Sequence, residues 1–344
     1  MKLRYLLVLV LFPALAWGQA KTFTNPILPG GPDPWVIYKD GYYYYTHTMG
    51  RNIKIWKTKN IADIPTAESK VVWNPPAEGM NSKELWAPEI HYLQGKWYVY
   101  VAADNGKNIN HRMWVLECDS QDPLKGNWTV KGKLQDNGDH WAIDGSVFEN
   151  NDQLYMVWSG WEGTKNGRQD IYISKMKNPW TLEGKRTMIS TPTYDWEKHG
   201  KVTWEGEDME HIYVNEGPQP LKHDNKIFII YSASACWTDY YALGMLAIDN
   251  EQDLMNADNW KKSKDPVFEQ APENGVYAPG HNSFFKSADG TEDWILYHAN
   301  SESGLGCGPK RSPRAQKFTW NTDGTPNFGT PVKEGEELPI PSDK

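Results

Sequence analysis

One phrase recurs five times along this chain: a short apolar strand, a turn of Asp, Asn or Gly type, and a second strand rich in aromatics. The first copy, PWVIYKDGYYY, begins at Pro34, and its counterparts PEIHYLQGKWY, GSVFENNDQLY, PQPLKHDNKIF and NSFFKSADG begin at Pro88, Gly145, Pro218 and Asn282. Each reads as a β-hairpin, because that turn chemistry suits the tight connection between two twisted strands. Successive copies start 54 to 73 residues apart, which leaves room for two further strands in every interval. Four-stranded units repeated at such a period predict an all-β, five-bladed β-propeller. A β-sandwich with similar hairpins is the competing arrangement. The 18 Trp, 18 Tyr, 29 Gly and 23 Pro favour strands and turns, and no segment carries a long helical period. No Ser/Gly/Pro-rich linker divides the chain, so residues 21–344 read as a single domain.

In a propeller the first strand of each unit lies nearest the axis. Asp33 immediately precedes the first copy and Asp144 takes the same register before the third. Glu216 stands two positions before Pro218, and His281 immediately precedes the fifth copy. Singly, each acid suits a turn or a loop corner. Together they would meet at the mouth of the central channel, where like charges raise one another's pKa, and such a cluster reads as a functional site. Trp86, at the corresponding place before the second copy, is the aromatic platform of this reading, and Trp35 beside Asp33 suits either the core or the site.

Residues 1–20 have the layout of a secretory signal peptide: Lys2 and Arg4, then an apolar run, then small residues up to Ala20. Export of the mature chain follows. No later stretch approaches the ~20 apolar residues of a membrane-spanning helix. The formal charge is -8, and removal of the leader takes away two more positive charges. Such a chain suits neither nucleic acid nor an anionic membrane, both of which call for basic patches. Cys118, Cys236 and Cys307 have no zinc spacing and allow one disulfide, whose partners the sequence leaves open.

Five ordered motifs together resemble glycoside hydrolase family 43: Asn25-Pro-Ile with Asp33-Pro34, Trp86-Ala-Pro-Glu89, Ile143-Asp144-Gly145, Asn215-Glu216-Gly217-Pro218, and Gly280-His281-Asn282-Ser283. The resemblance implies a five-bladed propeller and an inverting hydrolysis of arabinose- or xylose-containing polysaccharides. It assigns Asp33 as general base, Glu216 as general acid and Asp144 as the acid that positions Glu216 and keeps its pKa high. His281 matches a channel histidine that in the family often faces a water-coordinated calcium or other cation; a hydrogen-bonded histidine without metal is the alternative, and the chemistry itself requires no cofactor. Arg314 resembles a last-blade arginine that reaches the sugar, with a surface ion pair as the alternative, and His298 is a further substrate-binding candidate. Segments such as "NEGPQPL", "YSASAC" and "RAQKFTW" look most like the exo-acting α-L-arabinofuranosidases of the family. A β-D-xylosidase, an endo-arabinanase and a non-catalytic carbohydrate-binding propeller remain as alternatives. The segments "WSGWEGTKNGRQD" and "STPTYDWEKHGKVTWEGEDMEH" lengthen the third and fourth repeats, where they are expected to wall a pocket for one terminal sugar.

Overall fold

All five expected hairpins form. Their turn-flanking pairs are Lys39 with Tyr42, Leu93 with Lys96, Asn150 with Gln153, His223 with Lys226, and Lys286 with Asp293. In the first, Asp40 and Gly41 both have positive φ (52° and 83°), the backbone of a primed turn that matches strand twist. The computed structural model describes residues 21–200, 202–204, 207–209 and 212–343. The leader expected at 1–20 lies outside these residues, as does part of the 190–211 insertion. The helical elements among the described residues are short 3-10 turns.

Each hairpin continues into an antiparallel meander of four strands. The first comprises Trp35–Lys39, Tyr42–Thr46, Ile53–Thr58 and Glu68–Trp73; the second Lys83–Leu93, Lys96–Asp104, Arg112–Cys118 and Thr129–Leu134. The third comprises Ala142–Asn150, Gln153–Gly160, Arg168–Asn178 and Thr181–Ser190; the fourth Tyr213–His223, Lys226–Ala233, Ala242–Asp249 and Lys261–Lys262. The fifth runs Tyr277–Lys286, Asp293–Asn300, Ser312–Trp320 and Pro326–Asn327. A short parallel pairing of Arg168 and Gln169 with Tyr213 and Val214 joins the third and fourth meanders into one eight-stranded sheet.

The second strands are buried on both faces, which is why they read as near-continuous apolar runs. Their alternation sorts side chains between neighbouring meanders. In the second meander Trp97, Val99, Val101 and Ala103 pack with Tyr44, Ile53 and Ile55 of the first, while Tyr98, Tyr100 and Ala102 pack with Met156 and Trp158 of the third. The scheme repeats from third to fourth through Val157 and Ile229, and from fourth to fifth through Ile230 and Ile295. From fifth to first it runs through Leu296, Tyr43 and Tyr45. The first strands follow the same cycle, each touching that of the next meander and the fifth touching the first. Thr22–Thr24 pairs with Glu337–Pro339, and the Asn25 side chain exchanges two 2.9 Å hydrogen bonds with the Ala315 backbone. The two ends of the described chain are thereby held against one meander.

Candidate active site

Four of the five first strands carry a bulge near their start, where one extra residue loosens the ladder and re-aims a side chain. The register shifts lie between Trp86 and Glu89, Ile143 and Ser146, Glu216 and Gln219, and Gly280 and Ser283. The first residue inside each shift has positive φ: Ala87 (44°), Asp144 (56°), Gly217 (55°) and His281 (44°). Asp33, just ahead of the first meander's opening strand, has φ 57°. Asp33, Asp144 and His281 therefore share one register. Glu216 is displaced by one position and corresponds to Trp86.

These residues meet. His281 Nδ1 lies 3.4 Å from Asp33 Oδ1 and 4.0 Å from Asp144 Oδ2. Asp144 Oδ2 also accepts from the Gly217 N–H at 3.0 Å, which fixes the backbone next to Glu216. Gly217 suits this place doubly, since an added Cβ would stand 3.2 Å from His281 Nδ1 on a left-handed backbone. His281 itself is anchored by its N–H on Ser232 Oγ at 2.7 Å. All four residues of this cluster are largely withdrawn from water.

The neighbours of the two outer acids differ in sign. Asp33 accepts from Thr48 Oγ1 (2.6 Å) and Arg311 Nη1 (3.1 Å), and His298 Nδ1 accepts from its backbone N–H at 3.0 Å. Burial pushes its carboxyl up, but Arg311, with His281 and the Thr48 hydroxyl, holds it well below the usual carboxylate range. Glu216 instead receives one hydrogen bond, from the Tyr241 hydroxyl at 2.9 Å. Burial and the nearby Asp33 charge outweigh that bond and Arg311, so its carboxyl is pushed up to about 7. Asp144 is raised too, by burial and by the charges of Glu216 and Asp33. Asp144 and Glu216 thus both retain protons where ordinary carboxyls have lost them.

Other expected site residues are placed differently. His298 is buried against Asp33 and stacks beneath Tyr241, with ring centroids 5.9 Å apart. Trp86 is half-buried and stacks on His111 with centroids 3.9 Å apart, where the ring nitrogens meet the Glu84 carbonyl (3.1 Å) and Asn108. Trp35 gives its indole N–H to Ile90 O at 2.8 Å and packs against the core between the first two meanders. Arg314 is fully buried and bonds Glu334 (2.6 Å) and Ser301 (2.8 Å), so the arginine at Asp33 is Arg311, three positions earlier. Glu89, noted in the sequence only as part of a motif, is buried beside the cluster and accepts from Gln219 Nε2 and from His91 Nε2. Tyr241 and Thr48 carry no motif, and nothing in their sequence context signals them.

Among the described residues no group of three His, Cys, Asp or Glu side chains can hold a metal ion. Around His281 the carboxylates already face Arg311, Thr48 and the Gly217 N–H, a donor-rich setting that does not suit direct ligation of a cation. No step is assigned to a metal. Cys236 and Cys307 form the disulfide, and Cys118 is free and buried.

Residues 23–326 match the family model for glycosyl hydrolases family 43, and the chain belongs to this family. It is 39% identical over 91% of its length to an extracellular exo-α-(1→5)-L-arabinofuranosidase of Streptomyces avermitilis, covering 64% of that protein. It is 35% identical over 92% of its length to α-L-arabinofuranosidase 43 of Humicola insolens, covering 65% of that protein. The chain thus spans just under two thirds of these two relatives. The crystal structure of an α-L-arabinofuranosidase from Lactobacillus brevis superposes with a TM-score of 0.83 at 36% identity, over 91% of this chain and 98% of that one.

Proposed function

We propose that this chain is an exported, inverting α-L-arabinofuranosidase that removes terminal arabinofuranose from arabinan- or arabinoxylan-type saccharides. The observation that carries the reading is the contrast in what faces two carboxyls at one end of the molecule: Asp33 meets Arg311, His281 and the Thr48 hydroxyl and is held down, whereas Glu216, beside the Gly217 N–H that bonds Asp144, meets the Tyr241 hydroxyl and is pushed up to about 7. Inverting hydrolysis calls for that division, an ionised base and a protonated acid on opposite faces of the sugar. Asp33 takes a proton from water as its oxygen attacks the anomeric carbon. Glu216 gives its proton to the departing glycosidic oxygen. Asp144, by accepting from the Gly217 N–H, holds the backbone beside Glu216 in place, while burial and the Asp33 charge keep Glu216 protonated. His281 orients Asp33, Trp86 offers a ring face to the sugar, and no cofactor takes part.

The fold is read as a single five-bladed propeller over residues 21–344. Support comes from five meanders whose interfaces form a closed cycle and from the likeness to the Lactobacillus brevis structure. The arabinofuranosidase names of the relatives at 35 and 39% identity favour that sugar over a xyloside, and the word extracellular in one of them supports export after loss of residues 1–20. Hydrolysis of aryl α-L-arabinofuranoside, aryl β-D-xyloside and linear arabino-oligosaccharides tests the assignment. The arabinofuranoside is expected to turn over at least tenfold faster than the xyloside, with single arabinose units released from the oligosaccharide. A preference for the xyloside, or release of internal fragments, would overturn it.

A further inference from the structure

The loop Ser234–Tyr241, between the second and third strands of the fourth meander, opens at the end of the molecule where the acids lie. Its last residue, Tyr241, turns inward to bond Glu216. The preceding Tyr240 turns outward and is 57% exposed, the one exposed aromatic side chain among the described residues. An isolated surface aromatic is ordinary. This one is held: one ring face lies on His199 with centroids 4.0 Å apart and planes within 17°, and among the described residues no ring is stacked on the other face.

The loop beneath it is braced from three sides. Cys236 is joined to Cys307, and Asp239 accepts from the Gly304 N–H (3.0 Å) and the Ser303 hydroxyl. The Ala235 N–H bonds His199 O at 2.7 Å, so the supporting histidine and the loop share one backbone contact. Trp196, Glu269 and Gln270 line a small crevice against Tyr240 and Tyr241, and the latter two bring groups that can bond hydroxyls. A rigid aromatic plane with polar neighbours at its edge is what a sugar ring requires, because its C–H face is apolar and its rim is not.

We infer that the face of Tyr240 opposite His199 binds the sugar residue on the leaving-group side of the scissile bond. The inference rests on Glu216 being the general acid. That acid delivers its proton to the leaving oxygen, and the loop that supplies its hydroxyl partner Tyr241 carries Tyr240 one Cα step of ~3.8 Å further out, which places the Tyr240 ring on the outward path of the departing sugar. Tyr240 thereby contributes to choosing which saccharide carries the arabinose, while His199 and the disulfide keep its plane fixed.

The test compares Tyr240→Ala and Tyr240→Phe with the unsubstituted protein, on an arabino-oligosaccharide and on an aryl arabinofuranoside with a good leaving group. For Tyr240→Ala the oligosaccharide kcat/KM is expected to fall about tenfold more than the aryl kcat/KM, the size of one lost ring contact. Most of that fall is expected in KM. Tyr240→Phe keeps the ring and is expected to restore the ratio to within about twofold. An unmoved ratio in Tyr240→Ala alongside intact aryl hydrolysis would overturn the inference and leave the catalytic reading standing, as would a Phe variant as impaired as Ala. If the unsubstituted protein cleaves neither substrate, the catalytic reading falls and this one with it.

Discussion

Asp33 and Glu216 begin from similar intrinsic acidity and are driven apart by what touches them. Tyr241 stabilises the carboxylate form of Glu216, which is pushed up to about 7, so with Glu216 as the acid Tyr241→Phe is expected to move the alkaline limb of kcat/KM to higher pH. Arg311 lowers both acids, so Arg311→Met is expected to raise both limbs. A pH–rate profile of each variant reads these directions, and a limb moving down would contradict them. Glu216 also links activity to stability. Its folded value of about 7 exceeds its ordinary 4.5, so the stabilisation from its bound proton is complete below about 4.5 and is lost as pH rises through 7. The gap corresponds to roughly 3 kcal/mol, shared with Asp144. Glu216→Gln is therefore expected to melt several degrees above the parent at pH 8 and not at pH 4.5, and thermal unfolding at the two values checks it. The same variant is expected to lose about 10²- to 10⁴-fold in activity on substrates with poor leaving groups. The acids were legible in the sequence because each sits beside a repeated phrase. Arg311, Tyr241 and Thr48 were not, because they lie outside the repeated phrases, on or beside connections whose reach into the site depends on how the meanders meet. Arg314 was misleading for a related reason: it lies within a strand, and its side chain is directed to Glu334, whereas Arg311 precedes the strand and is free to turn toward Asp33.

The strand and its bulge set where each functional side chain points. Hairpins were readable from the recurring strand, Asp/Asn/Gly turn and aromatic strand, and all five formed at the expected turns. A bulge leaves no such mark, since one extra residue in a strand looks like a one-step slip in the pattern. That is why Glu216 reads as an approximate equivalent of Asp33 and Asp144 when its true counterpart is Trp86. Close approach at the bulges also places glycine under constraint. An added Cβ at Gly280 would overlap the Tyr241 ring, which is wholly buried and has nowhere to withdraw. Gly280→Ala is expected to cost about 1–3 kcal/mol of stability by overpacking. Because the displaced ring also leaves Glu216, its alkaline limb is expected to rise as in Tyr241→Phe. Thermal melting with a pH–rate profile measures both, and a stable variant with an unshifted limb would show that the ring is not held there.

At the scale of the molecule, the cyclic order of interfaces gathers residues more than 180 positions apart into one cluster. The period of the repeats made that order legible. It did not reveal which cysteines would pair, because the loops after Ala233 and after Asn300 become neighbours only once the fourth and fifth meanders pack. The Cys236–Cys307 bond closes a sequence separation of 71 residues and joins the loop of Tyr241 to the loop of Arg311. Chain-entropy reasoning assigns such a bond about 4 kcal/mol. Reduction, or Cys236→Ser with Cys307→Ser, is expected to lower the melting temperature by several degrees, and an unchanged melting curve would contradict that role.

The convergence of Asp33, Asp144 and Glu216 on one sugar is tested most directly by proton NMR of the first arabinose released from an α-linked arabinofuranoside. Attack by an Asp33-activated water on the face opposite the leaving group yields the β-anomer first, with the α-anomer growing in only as the free sugar equilibrates. Initial accumulation of the α-anomer would mean that a carboxylate, and not water, attacks the sugar, and the roles assigned to these three acids would be wrong.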